Sequence, residues 1–184
     1  MSESMFTSVS RFKTGYAKDQ VDEFFTTTRQ AYEGTAVDDV TATDIQNASF
    51  DLVRGGYETA AVDGALNRLE AAFVARTRAQ FIAVNGNDAW MTALADKART
   101  LYPRLSRPAG SRFSPPDKGK PGYLRADVDD VCDRLVGYFD RGEPLTAAEL
   151  RSSTFAKARV KDGYAEGPVD AFLGRATEVL LGVE

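Results

Sequence analysis

The sequence predicts an all-α protein. Three observations carry that expectation: apolar residues recur at helical spacing in four stretches, no stretch alternates apolar and polar residues as a half-buried strand would, and each helical stretch follows the same short signature. The signature is Gly-Tyr, four residues, then Val-Asp. It occurs as GYAKDQVD from Gly15, GYETAAVD from Gly56, GYLRADVD from Gly122 and GYAEGPVD from Gly163. Gly15 and Gly56 are 41 residues apart, as are Gly122 and Gly163, and the two pairs are offset by 107. The expected architecture is four tandem loop-plus-helix units in two duplicated halves.

The elements follow in order. Val21, Phe24, Phe25, Thr28 and Tyr32 mark one face of a first helix, from about Ala17 to Glu33. The stretch TATDIQNASF predicts a short helix, with Thr41 and Asp44 placed for a capping box. Val62, Leu66, Leu69 and Phe73 mark the second long helix at heptad spacing. Arg76 and Gln80 occupy the next two seam positions, so no long coiled coil is expected. Asn85-Gly86-Asn87 stops that helix, and Asn87 or Asp88 can cap another over Ala89 to Tyr102. Residues 103–121 hold five of the seven prolines and a charge of +4, which predicts an extended surface connector, either solvated or a docking strip for acidic lipid or protein. Val128, Val131, Leu135 and Phe139 mark the third long helix. LTAAELRSSTF gives a second short one capped by Thr146 and Glu149, and Val169, Phe172, Leu173, Ala176 and Leu180 mark the last. The expected organisation is a first pair of units over 1–84, a connecting helix and Pro-rich linker over 85–112, and a second pair over 113–184.

Composition narrows function. The chain has 184 residues, 43% hydrophobic and 27% charged, enough to bury a core, and no apolar run of membrane-spanning length. It has no histidine, which removes His-based nucleophile pairs and the usual zinc sites. A single cysteine, Cys132, permits no intrachain disulfide. A net charge of −4 argues against nucleic acid as a partner. The first residues lack the apolar stretch of a secretory signal, so a cytoplasmic protein is expected. No catalytic residue, metal or cofactor is expected, and the chain reads as a non-enzyme.

The recurrent residues read as architecture. Gly15, Gly56, Gly122 and Gly163 serve a positive φ or a close backbone approach at the loop-to-helix turn. Tyr16, Tyr57, Tyr123 and Tyr164 bury their rings and place the hydroxyl in one hydrogen bond. Val21, Val62, Val128 and Val169 face the core. Asp22, Asp63, Asp129 and Asp170 lie in the first helical turns, where a carboxylate accepts loop N–H groups and complements the dipole. Four copies of one acid argue for structure, because catalysis needs a single constellation. Cys132 reads as an inert core thiol. Asp38-Asp39 and Asp129-Asp130 are adjacent and make poor acid–base pairs.

Two stretches, LTAAELRSSTFAKARVKDGYAEGPVDAFLGR and VTATDIQNASFDLVRGGYETAAVDGALNRL, resemble the N-terminal domain of the DivIVA family of bacterial cell-division and polar-growth scaffolds. That domain runs T-x-x-[DE]-I, then F, a short loop, R-G-Y and V-[DN]-x-F-L. FSPPDKGKPGY resembles the loop of actinobacterial members. The resemblance implies a non-enzymatic adaptor or scaffold acting with protein partners of the division or growth machinery. It also implies, as an alternative, a peripheral binder of anionic membrane at the inner face of the cell membrane, inserting apolar side chains from the loop before Gly-Tyr and placing basic residues against lipid phosphates. The chain departs from the pattern at Arg54 and Gly55, which stand where the family has an apolar residue and arginine, and at Pro121 and Asp162. Arg54, Arg112, Lys118, Lys120, Arg159 and Lys161 are the expected anionic contact.

Family domains dimerise with their post-Gly-Tyr helices in parallel. Equal spacing in both halves predicts that units 1 with 2 and 3 with 4 pair inside one chain, which can then be monomeric. Val21, Phe25, Leu66 and Leu69 should be buried in the first pair, and Val128, Leu135, Val169 and Leu173 in the second.

Overall fold

A computed structural model describes residues 4–35 and 40–184, so the Asp38-Asp39 pair lies outside the described residues. The elements are β1 (Thr14–Tyr16), α1 (Lys18–Glu33), α2 (Ala42–Gln46), β2 (Leu52–Arg54), α3 (Thr59–Asn85), α4 (Asn87–Arg99), α5 (Tyr102–Leu105), β3 (Gly122–Leu124), α6 (Arg125–Arg141), α7 (Ala147–Arg151), β4 (Lys157–Ala158), β5 (Gly163–Tyr164) and α8 (Glu166–Val183). The described chain is 59% helical and contains no long coiled coil, but the all-α expectation needs correction. Every Gly-Tyr dipeptide pairs as extended backbone. β1 pairs antiparallel with β2, and β3 lies between β4 and β5. Tyr57 bridges Tyr16 and Ser8. Strands of two or three residues are too short to show a period of two, and their partners lie dozens of residues away.

The chain divides into two units, residues 1–77 and 78–184. In the first, Val21, Tyr57 and Val62 form a buried cluster, with Phe6, Tyr16, Phe25, Phe50 and Leu66 packed against it. Val21 and Val62 begin α1 and α3. At the far end the Tyr32 ring lies 5.4 Å from Phe73. Val21 and Val62, like Tyr32 and Phe73, are 41 residues apart, so α1 and α3 run side by side in one direction. Arg76, which interrupts the heptad, donates to the carbonyl of Ala31 at 3.2 Å and to that of Tyr32, satisfying acceptors at the end of α1. Gly34 closes that helix with φ of 76°. Phe25, Leu66 and Leu69 are half-buried rather than enclosed.

In the second unit β3 and β5 pair antiparallel and lead into α6 and α8. Val128, Leu135 and Val169 are fully buried between the elements, while Leu173 is half-buried. At the start of α6 the Asp129 carboxylate accepts from the Tyr164 hydroxyl just before α8, so the two helices begin side by side. Burial, then the Glu184 carboxylate, raises the pKa of the Tyr138 hydroxyl. The short α7 opens with the expected capping box, Thr146 accepting from the Glu149 N–H while Glu149 accepts from Thr146; α2 does the same with Thr41 and Asp44. α4, expected to start at Ala89, begins at Asn87 after Gly86 and packs on α8, where the Trp90 indole donates to the Gly182 carbonyl at 3.1 Å. The proline-rich stretch is no free connector. Phe113 is 4% exposed and stacks edge-on against Tyr164 and Phe172 at 5.3 and 5.4 Å.

Candidate functional site

The motif residues meet in crossed pairs. The Tyr57 hydroxyl donates to the Asp22 carboxylate at 2.9 and 3.1 Å, and the Tyr16 hydroxyl is hydrogen-bonded to Asp63. In the second unit the Tyr164 hydroxyl donates to Asp129 at 3.1 and 3.2 Å, and that of Tyr123 is bonded to Asp170. Each tyrosine therefore holds the aspartate of the other signature. Burial, then the facing carboxylate, raises the pKa of Tyr16 and Tyr57; Tyr164 is raised by the same two effects against the opposing Arg112 N–H. Tyr123 is pushed up to about 12 by burial and by Asp170. Desolvation likewise raises the Asp170 carboxyl. The motif glycines do not need positive φ. A Cβ on Gly15 would sit 2.2 Å from the Tyr57 carbonyl oxygen, one on Gly56 2.4 Å from that of Tyr16, and one on Gly122 2.2 Å from that of Tyr164. Close approach of two backbones is what selects glycine there.

Equivalent contacts recur at matching positions. Phe6 and Tyr57 lie 5.5 Å apart, Phe113 and Tyr164 5.3 Å. Tyr16 and Phe50 lie 5.4 Å apart, Tyr123 and Phe155 5.0 Å. The Gln20 side chain accepts from the Asp51 N–H and the Asp127 side chain from the Ala156 N–H, both at 2.8 Å. Residues up to the first helix of each half match at an offset of 107, whereas Phe50 and Phe155 match at 105. The difference is two extra residues between Arg159 and Gly163, compared with the single Gly55 between Arg54 and Gly56.

These offsets align the two loop tips residue by residue. Arg11, Lys13 and Arg54 of the first correspond to Lys118, Lys120 and Arg159 of the second. The apolar positions do not correspond in kind: Phe12, Leu52 and Val53 face Gly119, Lys157 and Ala158. In the first tip Phe12 is 77% exposed, Leu52 63% and Val53 40%, with the Arg11 guanidinium 4.8 Å from the Phe12 ring. Gly55, with φ of 69°, turns β2 away, and its N–H donates to the Lys13 carbonyl at 2.9 Å. The second tip instead encloses an open cleft of about 580 Å³ lined by Lys120, Pro121, Lys157, Ala158, Arg159, Val160 and Lys161 beside Gly119.

The expected cationic contact thus divides. Arg54 belongs to the first tip and Lys118, Lys120, Arg159 and Lys161 to the second. Arg112 must be withdrawn from it. That side chain is 5% exposed and anchored inside the second unit, donating to the Asp129 carbonyl at 2.7 Å and pairing with Asp133 and Asp129. Its partners hold it protonated against the desolvation that opposes its charge. Asp129 is buried on Tyr164 and Arg112, and Cys132 is buried with its thiol pushed up to about 12 by desolvation. Sequence reasoning missed Arg11, Phe12, Lys13, Leu52, Val53 and Lys157. The signal was present in the 107-residue offset, because it sets Arg11-Phe12-Lys13 against Lys118-Gly119-Lys120. No helix among the described residues is long and apolar enough to cross a membrane. Comparison with protein-family models, curated proteins and solved structures finds no match.

Proposed function

We propose that the chain is a non-enzymatic adaptor of DivIVA type, built from four related units paired two by two, and that it serves bacterial cell division or polar envelope growth. The observation that carries this reading is the use of the recurrent acids. All four motif aspartates hold a tyrosine of the opposite signature, so the signature builds a frame and leaves the loop tips as the variable, outward part. Its partners are then proteins of the division or growth machinery. A fluorescent fusion in the native host is expected at septa or poles; an even distribution through the cytoplasm would overturn the reading.

A second reading has its own support. Phe12, Leu52 and Val53 stand exposed among Arg11, Lys13 and Arg54, a combination suited to the interface of an anionic bilayer. Each basic residue near such a surface contributes about 1 kcal/mol and less as salt rises. Co-sedimentation with phosphatidylglycerol vesicles at low salt tests it. Wild-type protein should pellet and Phe12→Ser should pellet less; wild-type protein left in the supernatant ends the membrane reading.

A further inference from the structure

The two loop tips share three cations and differ in everything between them. Where the first tip exposes Phe12, Leu52 and Val53, the second has Gly119, Lys157 and Ala158, and two added residues open a cleft. Removing the apolar side chains removes the means of entering a bilayer; Lys157 and Lys161 add two cations, and Asp117 and Asp162 add two acids beside them, so the net charge of the tip stays the same. Lys120 pairs with Asp117 at 3.1 Å and Lys157 with Glu166 at 2.9 Å. Among the described residues, Lys118, Arg159 and Lys161 have no carboxylate within ion-pair distance. Pro121, Ala158 and Val160 supply an apolar floor. β4, which contributes to one wall, is paired with β3, and the residues leading into β3, Gly119, Lys120 and Pro121, form the facing wall.

From this we propose that the cleft of the second unit binds an acidic, extended peptide segment of a partner protein. The two tips would then have separate tasks, the first on lipid and the second on protein. Carboxylates of the segment would meet Arg159, Lys161 and Lys120, and alternate apolar side chains would reach Val160 and Pro121. A concave site with cations around apolar side chains fits a chain better than it fits a flat array of headgroups. The proposal deepens the adaptor reading and rests on it, but does not need the membrane reading.

The test uses the whole chain and two probes, a fluorescein-labelled eight-residue peptide alternating Glu and Val, and phosphatidylglycerol vesicles. The proteins compared are wild type and R159E/K161E, whose replaced side chains are exposed, with circular dichroism as the check of folding. The expected result is saturable peptide binding that weakens at least tenfold in the double variant, while vesicle binding falls no more than about threefold. Wild-type indifference to the peptide, or equal binding by both proteins, overturns the proposal. Loss of vesicle binding in the double variant without any peptide binding also overturns it and assigns the cleft to lipid. Peptide binding by a protein that ignores vesicles leaves the cleft standing and ends only the membrane reading. Diffuse localisation in the host tests the adaptor reading separately.

Discussion

At the scale of single residues, the crossed tyrosine–aspartate pairs set how the protein responds to mutation and pH. Asp129 is 6% exposed, so Tyr164→Phe leaves a buried carboxylate short of a donor. The expected loss is about 1–3 kcal/mol, read as a lower urea midpoint with an unchanged slope. Asp129→Ala should cost more, about 3–5 kcal/mol, because it also removes a partner from the buried Arg112. The four tyrosines have folded pKa values above the ordinary 10.0. Below pH 10 both folded and unfolded chains keep these protons. As pH climbs from there toward about 12, the unfolded chain loses protons first, so stability falls through that window. Tyrosinate absorbance and circular dichroism should therefore change together on alkaline titration; full tyrosine ionisation of a still-folded protein would refute this. Cys132, buried and poorly acidic, should react with a thiol reagent only on unfolding.

Among the elements, what could be read locally was read well. Both capping boxes, the stop at Gly86 and the burial of the four motif valines follow from residues within one or two helical turns of each other. The strands were not legible, because Tyr16 finds Leu52 and Tyr57 only after the chain has made two helices. The role of Arg76 was half legible. Its charge ended the heptad, but that it would seat on α1 carbonyls required the 41-residue register between α1 and α3. The cationic residues at the tips were named without the apolar ones, because Phe12, Leu52 and Val53 belong to no periodic pattern and their exposure is a tertiary property. Glycines now give the sharpest test of the strand pairs. Gly122→Ala places a methyl against the Tyr164 backbone and should cost about 1–3 kcal/mol. Gly167→Ala, in the first turn of α8 with nothing within 4 Å, should gain up to about 1 kcal/mol. Thermal denaturation of the two variants should move in opposite directions; a neutral Gly122→Ala would show that the paired backbones can part without cost.

For the whole molecule, the expectation is a chain that completes its own helix pairs. α1 already lies beside α3, and α6 beside α8, so the cores around Val21 and Val169 need no second chain. Sedimentation equilibrium should return the mass of one chain, 20.0 kDa, across a wide concentration range. A stable dimer at low concentration would contradict internal completion. The covalent connection has a further consequence for how such a protein can vary. In an isologous dimer every substitution is made twice, so a change useful on one side of the axis must be tolerated on the other. Here Tyr16 with Asp63 and Tyr57 with Asp22 play the two sides of one contact, yet each of the four is encoded separately. The same holds for the loops. Residues 160–162 lengthen one loop where its counterpart in the first half has Gly55 alone, and Gly119 stands where that half has Phe12. Within each unit the crossed pairs hold the frame, and the lack of enforced identity lets each loop acquire its own surface.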